Sequence, residues 1–306
     1  MKTIFADGIA NAIINDKGEL LGTPLAFDTL SLFYNRDTLN AANIPTPPAT
    51  WDDLVNQTKQ LTSLSEVGGI RRSGVAMGTA SNVDHAADIL LALIYQSSGV
   101  IIDTANQKSA IKNPATESAL AFYTSFADAT KKTYAWNSFF DDSLTSFAKG
   151  DTAMAFGYAK DVPRIVALNP QLNFDVAALP QTANSDRRVT FGRFEVLAVS
   201  RQSKQGEQAW NFLLWLENPD TEKSYIDAVG LPPARRDLVT SKPPRDYLSP
   251  FYNQVLPART LPIQGDDSLP QIINDMIDSV VNHKFTIQDA ILRAENQIDA
   301  LLRPLQ

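Results

Sequence analysis

The chain has 306 residues, of which 44% are hydrophobic and 20% charged. That length suits two domains or one large one, with a sizeable core, and excludes wholesale disorder. A net charge of -7 argues against nucleic acid as a main partner, because phosphate binding needs concentrated Lys and Arg, and the absence of cysteine removes disulfides, thiolate catalysis and zinc–sulfur sites together. No run approaches the roughly 20 apolar residues that a membrane span requires. The stretch from Met1 to Asp7 does not read as a signal peptide, since Asp7 and Asn11 interrupt the apolar region, so the chain as written carries no export address.

Taken in chain order, segment 22–37 reads as a turn opening into one long β-strand, with a single carboxylate, Asp28, inside an apolar run. Two readings stay open for it: a strand-end carboxylate bonded to a neighbouring amide, or a carboxylate facing a ligand, since a buried carboxylate needs partners. A proline-stiffened loop over 42–50 then ends in a capping box, Thr50 with Asp53, that opens a helix with Leu54, Val55, Thr58 and Leu61 on its inner face. Residues 75–77 form a short strand candidate. Residues 84–97, dense in Ile and Leu, predict a largely buried helix stopped near Gly99.

Asn113 followed by Pro114 is a helix start, a capping side chain before proline at the first helical position. A further helix is predicted over 139–149, stopped by Gly150, and strands over 152–156 and 174–180. Residues 189–200 are strand-like around Gly192. Residues 205–217 are helical, with Trp210 and Trp215 expected to pack, and Asn218-Pro219 stops that helix and caps the next. The run 231–268 is loop-rich, with Pro232, Pro233, Pro243, Pro244, Pro250, Pro257 and Pro262. Two helices close the chain; the last has Thr286 and Asp289 as its cap and Ile287, Ile291, Ala294, Ile298 and Leu301 on one face.

Catalytic signatures are scarce. There is no phosphate-binding Gly-rich loop, no dinucleotide fingerprint and no nucleophile elbow, so no cofactor is implied. The two histidines, His85 and His283, are far apart in sequence and read as surface or helix-end residues; no metal site is implied. Asp141-Asp142 cannot work on one bond as an acid/base pair, because adjacent helical residues point apart; near a helix start they favour the macrodipole. Trp51 and Trp136 read as core or loop anchors. In the run 191–199, Arg193 and Glu195 alternate with apolar residues beside Gly192, which permits a close backbone approach or an unusual turn. This is either a solvated strand face or a polar hook at the edge of a binding site.

Several ordered blocks now join: Gly22-x-Pro24 with Asp28-Thr29-Leu30 and Tyr34-Asn35-Arg36-Asp37; Pro48-x-Thr50-Trp51-Asp52-Asp53-Leu54; Phe147-x-x-Gly150-x-x-Ala153-Met154; Gly192 before Val196-Leu197-Ala198-Val199; Ala209-Trp210-x-Phe212-Leu213-x-Trp215-Leu216; and Gly230-Leu231-Pro232-Pro233-Ala234-Arg235. In their order and spacing, over nearly the whole chain, they resemble the extracellular solute-binding proteins of ABC importers, the large family that includes maltose-binding protein. The resemblance implies an α/β, two-lobe, periplasmic-binding-protein-like fold of type II, with ligand held between lobes joined by crossing segments. It implies a C-lobe from residues 29–189 plus about 268–306, and residues 1–28 plus about 190–267 as a partial N-lobe with the crossings. Relatives carry a longer stretch before the Gly22-x-Pro24 block, where only 21 residues stand here. The N-lobe is therefore expected to be incomplete, as in a partial product, a mis-assigned start or a fragment, with weakened affinity.

As to site residues, the resemblance places Asp28 on the first crossing strand, Ser81 and Asn82 in a contact loop, and Tyr158 where an aromatic often stacks on sugar, the usual Trp being absent. Gly192, Arg193, Phe194 and Glu195 fall on the second crossing. Arg193 is a departure from the small or polar residues usual there. It either binds an acidic ligand group or pairs with Glu195 or Asp28. The function implied is reversible capture of a sugar or oligosaccharide without bond chemistry, by a monomer outside the cell or in the periplasm, delivered to ABC permease transmembrane subunits. Alternatives are a carbohydrate-active hydrolase using the pair Asp28 and Glu195, which would have to face each other across the bond, and a non-transporting interaction module.

Overall fold

The structure, a computed structural model, describes residues 4–14, 18–183, 185, 187–261 and 267–303. Met1, Lys2 and Thr3 of the N-terminal segment and Pro262 of the proline-rich run lie outside the described residues. The chain divides into two compact units. Unit one comprises Met1–Ser31, Tyr158–Lys160 and Thr190–Gln264; unit two comprises Leu32–Gly157, Asp161–Val189 and Gly265–Gln306.

Segment 22–37 is not one long strand. It supplies three: β1 (Thr23–Pro24), β2 (Asp28–Thr29) and β3 (Ser31–Asn35). Apart from two short hairpins (Ser63–Leu64 with Ile70–Arg72, and Ile102–Asp103 with Lys108–Ser109), the later strands are β4 (Met154–Gly157), β5 (Phe174–Ala178), β6 (Thr190–Arg193), β7 (Val196–Leu197) and β8 (Ala258–Arg259). The break is topological, because each piece finds a different partner. β1 pairs antiparallel with β7, β2 pairs antiparallel with β6, and β6 also runs parallel to β8. β3 is the centre of a separate three-stranded sheet between β4 and β5.

In unit one, β2, β6 and β8 stand against a core of Phe5, Ala6, Ile9, Ala10, Ile13, Phe27, Ala234, Val255 and Ala258. The Asp7–Ile13 helix provides three of these residues, Ile9, Ala10 and Ile13. The predicted helix over 205–217 is present as Gly206–Leu216, but its expected packing is not. Leu213 is its buried residue, whereas Trp215 is 58% and Phe212 56% exposed, their rings stacked on each other at 5.8 Å. Trp210 is half-buried. Amphipathic spacing predicts which side chains share a face but not whether a partner covers it; among the described residues of unit one, nothing buries the face that carries Phe212 and Trp215. Asn218 then caps the Pro219–Val229 helix by accepting from the Asp220 amide, and Gly230, at φ +71°, ends it. That helix buries Glu222 completely.

In unit two the local signals hold. Thr50 accepts from the Asp53 amide at 3.1 Å and Asp53 accepts from the Thr50 amide at 3.0 Å, closing the capping box of the Trp51–Leu61 helix. Leu54, Thr58 and Leu61 are buried there and Val55 half-buried. The Ala86–Gln96 helix buries every residue from 86 to 94, as a helix apolar on all sides must. Asn113 caps Pro114–Thr124 through the Thr116 amide. The helix predicted over 139–149 starts later, at Ser143, because Asp142 accepts from the Thr145 amide and acts as its cap; Phe139 is 96% exposed. It stops at Gly150, whose φ of +81° a side chain would resist. Residues 75–77 are buried but not a regular strand: the Ala76 amide donates to Met154 at 3.0 Å, so they run alongside β4. The last two helices, Ser268–Val281 and Ile287–Leu302, are tied in by Asp278, which accepts from the Ala80 amide, and Asp299, which accepts from the Ser109 amide.

Candidate functional site

The polar run beside Gly192 lies in unit one at the junction of β6 and β7. In the β2–β6 ladder Gly192 stands opposite Thr29 and Arg193 opposite Asp28. Directly opposed residues share one face of a sheet, so a carboxylate and a guanidinium bracket this position. The Leu30 amide donates to Phe191 at 2.8 Å, and the Thr190 hydroxyl donates to Leu30 at 2.9 Å, which fixes the register. Gly192 is there for close approach. A Cβ at this position would stand 2.3 Å from the Phe27 ring, and Phe27 in turn meets Phe194 edge-on at 5.7 Å. Phe194 thereby packs against the core of unit one, with half-buried Arg193 before it and exposed Glu195 after it.

Asp28 is 6% exposed, and its carboxylate is well supplied with donors. Oδ1 accepts from the Thr29 amide at 3.0 Å and the Ala159 amide at 2.9 Å, and Oδ2 accepts from the Lys160 amide at 3.0 Å. The bonds to amides that the first of the two readings expected are present. They clamp 158–160, a segment far away in sequence but within the same unit. Tyr158 in that segment is fully buried, with the Lys160 ammonium 5.7 Å from its ring centroid, so the ring is enclosed and does not present an open stacking face.

In unit two, Ser81 is exposed but Asn82 is spent internally. Its Oδ1 accepts from the Thr79 hydroxyl at 2.6 Å and the Trp136 indole at 2.9 Å, and its Nδ2 donates to the carbonyls of Asn137 and Phe140. Asn82 therefore pins the loop that carries Ser81, and Trp136, fully buried, is a loop anchor as read from the sequence. Trp51 is a core residue, 7% exposed, with its indole donating to Gln96 at 2.6 Å. Asp141 and Asp142 do not face one bond: the first pairs with Lys149 at 2.5 Å and the second with Arg164 at 2.6 Å.

His85 was read as a surface or helix-end residue and is a helix-end residue, standing just before Ala86–Gln96; it is half-buried, and its Nε2 lies 2.8 Å from Asp161 Oδ2, a residue the sequence reading passed over. The only local signal was a histidine just before an apolar helical run; its partner is 76 positions away. Among the described residues, no group of three or more His, Asp or Glu is placed to hold a metal ion, and no helix is long and apolar enough to cross a membrane.

Comparison with known proteins agrees over most of the chain. A binding protein of Brucella abortus (strain 2308) is 25% identical over 304 residues, which is 94% of this chain and 69% of that protein. An ABC transporter solute-binding protein from Thermotoga lettingae TMO, solved with alpha-D-tagatose, superposes with a TM-score of 0.76 at 22% identity, covering 98% of this chain and 76% of that one. The cyclic alpha-maltosyl-1,6-maltose binding protein of Arthrobacter globiformis superposes with a TM-score of 0.78 at 19% identity, covering 98% of this chain and 76% of its own. At these identities the structures establish the fold, α/β and of the two-lobe periplasmic-binding-protein type. The family model for bacterial extracellular solute-binding proteins matches residues 2–248, and the chain belongs to that family.

Proposed function

We propose that this chain is the substrate-binding component of an ABC import system, working outside the cytoplasmic membrane. It captures a sugar or oligosaccharide and presents it to the permease transmembrane subunits, without making or breaking a bond. The observation that carries this reading is the family match over residues 2–248. The sugar class is supported by the two opposite charges, Arg193 and Glu195, carried close together at a rigid strand junction. It is supported also by relatives of this fold solved with, or named for, a sugar.

Within this reading the eight candidate residues divide by role. In unit one the contacts are Arg193, Phe194 and Glu195, half-buried or exposed; in unit two the exposed candidate is Ser81. Asp28, Asn82, Tyr158 and Gly192 hold the backbone that presents them. A hydrolase working through Asp28 and Glu195 has less support, because the Asp28 oxygens already accept three backbone amides.

A thermal-shift screen tests the proposal, with D-tagatose, maltose, maltotetraose, glycerophosphocholine and a tripeptide at millimolar concentration. A ligand present at ten times its Kd stabilises the protein by about 1.4 kcal/mol, so weak binding is still read. The proposal expects a sugar to raise the midpoint. A rise with glycerophosphocholine or peptide alone, or with nothing, overturns it.

A further inference from the structure

The block Gly230-Leu231-Pro232-Pro233-Ala234-Arg235 opens a strap over 231–237 in unit one. The strap leaves the Pro219–Val229 helix through Gly230, whose left-handed conformation turns the chain back. It is tied on two sides. The Pro232 carbonyl accepts from the Phe27 amide at 3.0 Å, and the Leu231 carbonyl from the Tyr252 hydroxyl at 3.3 Å. Towards the N-terminal segment, the Ala234 carbonyl accepts from the Ala6 amide at 3.3 Å, the Arg236 amide donates to Ile4 at 2.8 Å, and the Arg236 guanidinium donates to the Phe5 carbonyl at 2.6 Å. Arg235, its side chain 13% exposed, donates to the Glu217 carbonyl at 2.9 Å and grips Asp237 through two bonds of 3.0 and 2.8 Å.

Glu222 is buried on the helix that the strap leaves, and among the described residues neither of its carboxyl oxygens has a hydrogen-bond partner. Burial without partners disfavours the charged form, so the group keeps its proton to about pH 8. The strap is what faces it: the backbone of Ala234 and Arg235, the Arg235 guanidinium, which favours a charge on Glu222, and Asp237, which opposes one. Glu217, at the end of the Gly206–Leu216 helix, competes for Arg235. Lys223, next to Glu222 in the chain, is held by Asp227 at 2.6 Å. Once ionised, Glu222 needs water or a cation, and the strap both excludes the one and carries the other. Local opening of such a cover costs less than unfolding the whole unit.

We propose that Glu222, Arg235 and Asp237 form a proton-operated latch: with Glu222 neutral the strap is closed, and loss of the proton loosens the strap together with the N-terminal segment bonded to it. The raised value belongs to the closed form, so the closed form is favoured at low pH and loses ground as pH rises to about 8. The test is hydrogen–deuterium exchange read by mass spectrometry on wild type, Glu222→Gln and Asp237→Asn, corrected for the intrinsic pH dependence of amide exchange. In wild type, protection of residues 4–10 and 231–238 is expected to fall by about tenfold or more between about pH 6 and about pH 9, while β6 and residues 250–258 keep theirs. Glu222→Gln, which cannot ionise, is expected to show no such fall. Asp237→Asn frees Arg235 to meet the Glu222 charge and removes a repelling carboxylate, so its fall is expected to be smaller than that of wild type. A fall as large in Glu222→Gln, a fall spread evenly through unit one, no fall in wild type, or an Asp237→Asn profile identical to wild type would each overturn the latch.

Discussion

Replacing Asp28 by Asn separates a structural clamp from a ligand contact. The carboxylate accepts three backbone amides, from Thr29, Ala159 and Lys160, in a site only 6% exposed. Asparagine has one acceptor oxygen. Placed at Oδ1, that oxygen keeps Thr29 and Ala159 but turns an NH2 group towards the Lys160 amide, donor against donor. One charge-assisted hydrogen bond, about 1.5–3 kcal/mol, is lost, and the other two become neutral and weaker, for a total on the order of 2–4 kcal/mol. For a chain of this size that lowers the melting midpoint of the unliganded protein by about 3–6 °C. Differential scanning calorimetry without ligand reads it directly. An unchanged midpoint, with sugar affinity alone reduced, would refute the clamp and return Asp28 to the role of a ligand contact.

Two further outcomes follow from buried groups of unit one. Glu222 is fully buried and, among the described residues, neither carboxyl oxygen has a hydrogen-bond partner; burial pushes its pKa from 4.5 to about 8, against the pull of the Arg235 guanidinium. Because the folded value is the raised one, its contribution to stability is fully present below about pH 4.5 and is lost as pH climbs to about 8, with no further loss above. Glu222→Gln, which cannot ionise, should match wild type in urea denaturation near pH 4.5 and exceed it by several kcal/mol, at most about 5, at pH 9; a gap that does not grow with pH contradicts this. Gly192→Ala forces a methyl group into the Phe27 ring at 2.3 Å, an overpacking expected to cost about 1–3 kcal/mol. Circular-dichroism melts with an unaltered midpoint would show that the close approach is unimportant.

What was legible in the sequence is what is local. The Thr50–Asp53 box, Asn113 before Pro114 and the left-handed stop at Gly150 each use neighbours within four positions, and each forms as read. The pieces of segment 22–37 were misjoined because their partners, β4, β5, β6 and β7, lie more than a hundred residues later, and nothing in an apolar run says which strand it will meet. The candidate site divides the same way. Gly192 was read as a point of close approach, but not that Phe27 fills it. Asp28 was marked as needing partners, yet its distant donors, Ala159 and Lys160, are backbone amides without a sequence signature. His85 and Asp161 escaped for the reason that defeats pair-finding generally: two isolated titratable residues become a pair only through the fold. The exposed Trp215 shows the converse, a packing pattern whose cover the spacing cannot supply.

The central claim is that this family member captures a sugar, and isothermal titration of the 306-residue chain with D-tagatose, maltose and maltotetraose addresses it most directly. The account predicts saturable one-to-one heat with at least one of them, reduced by Arg193→Ala. No heat with any sugar, alongside saturable binding of glycerophosphocholine or a peptide, would contradict it.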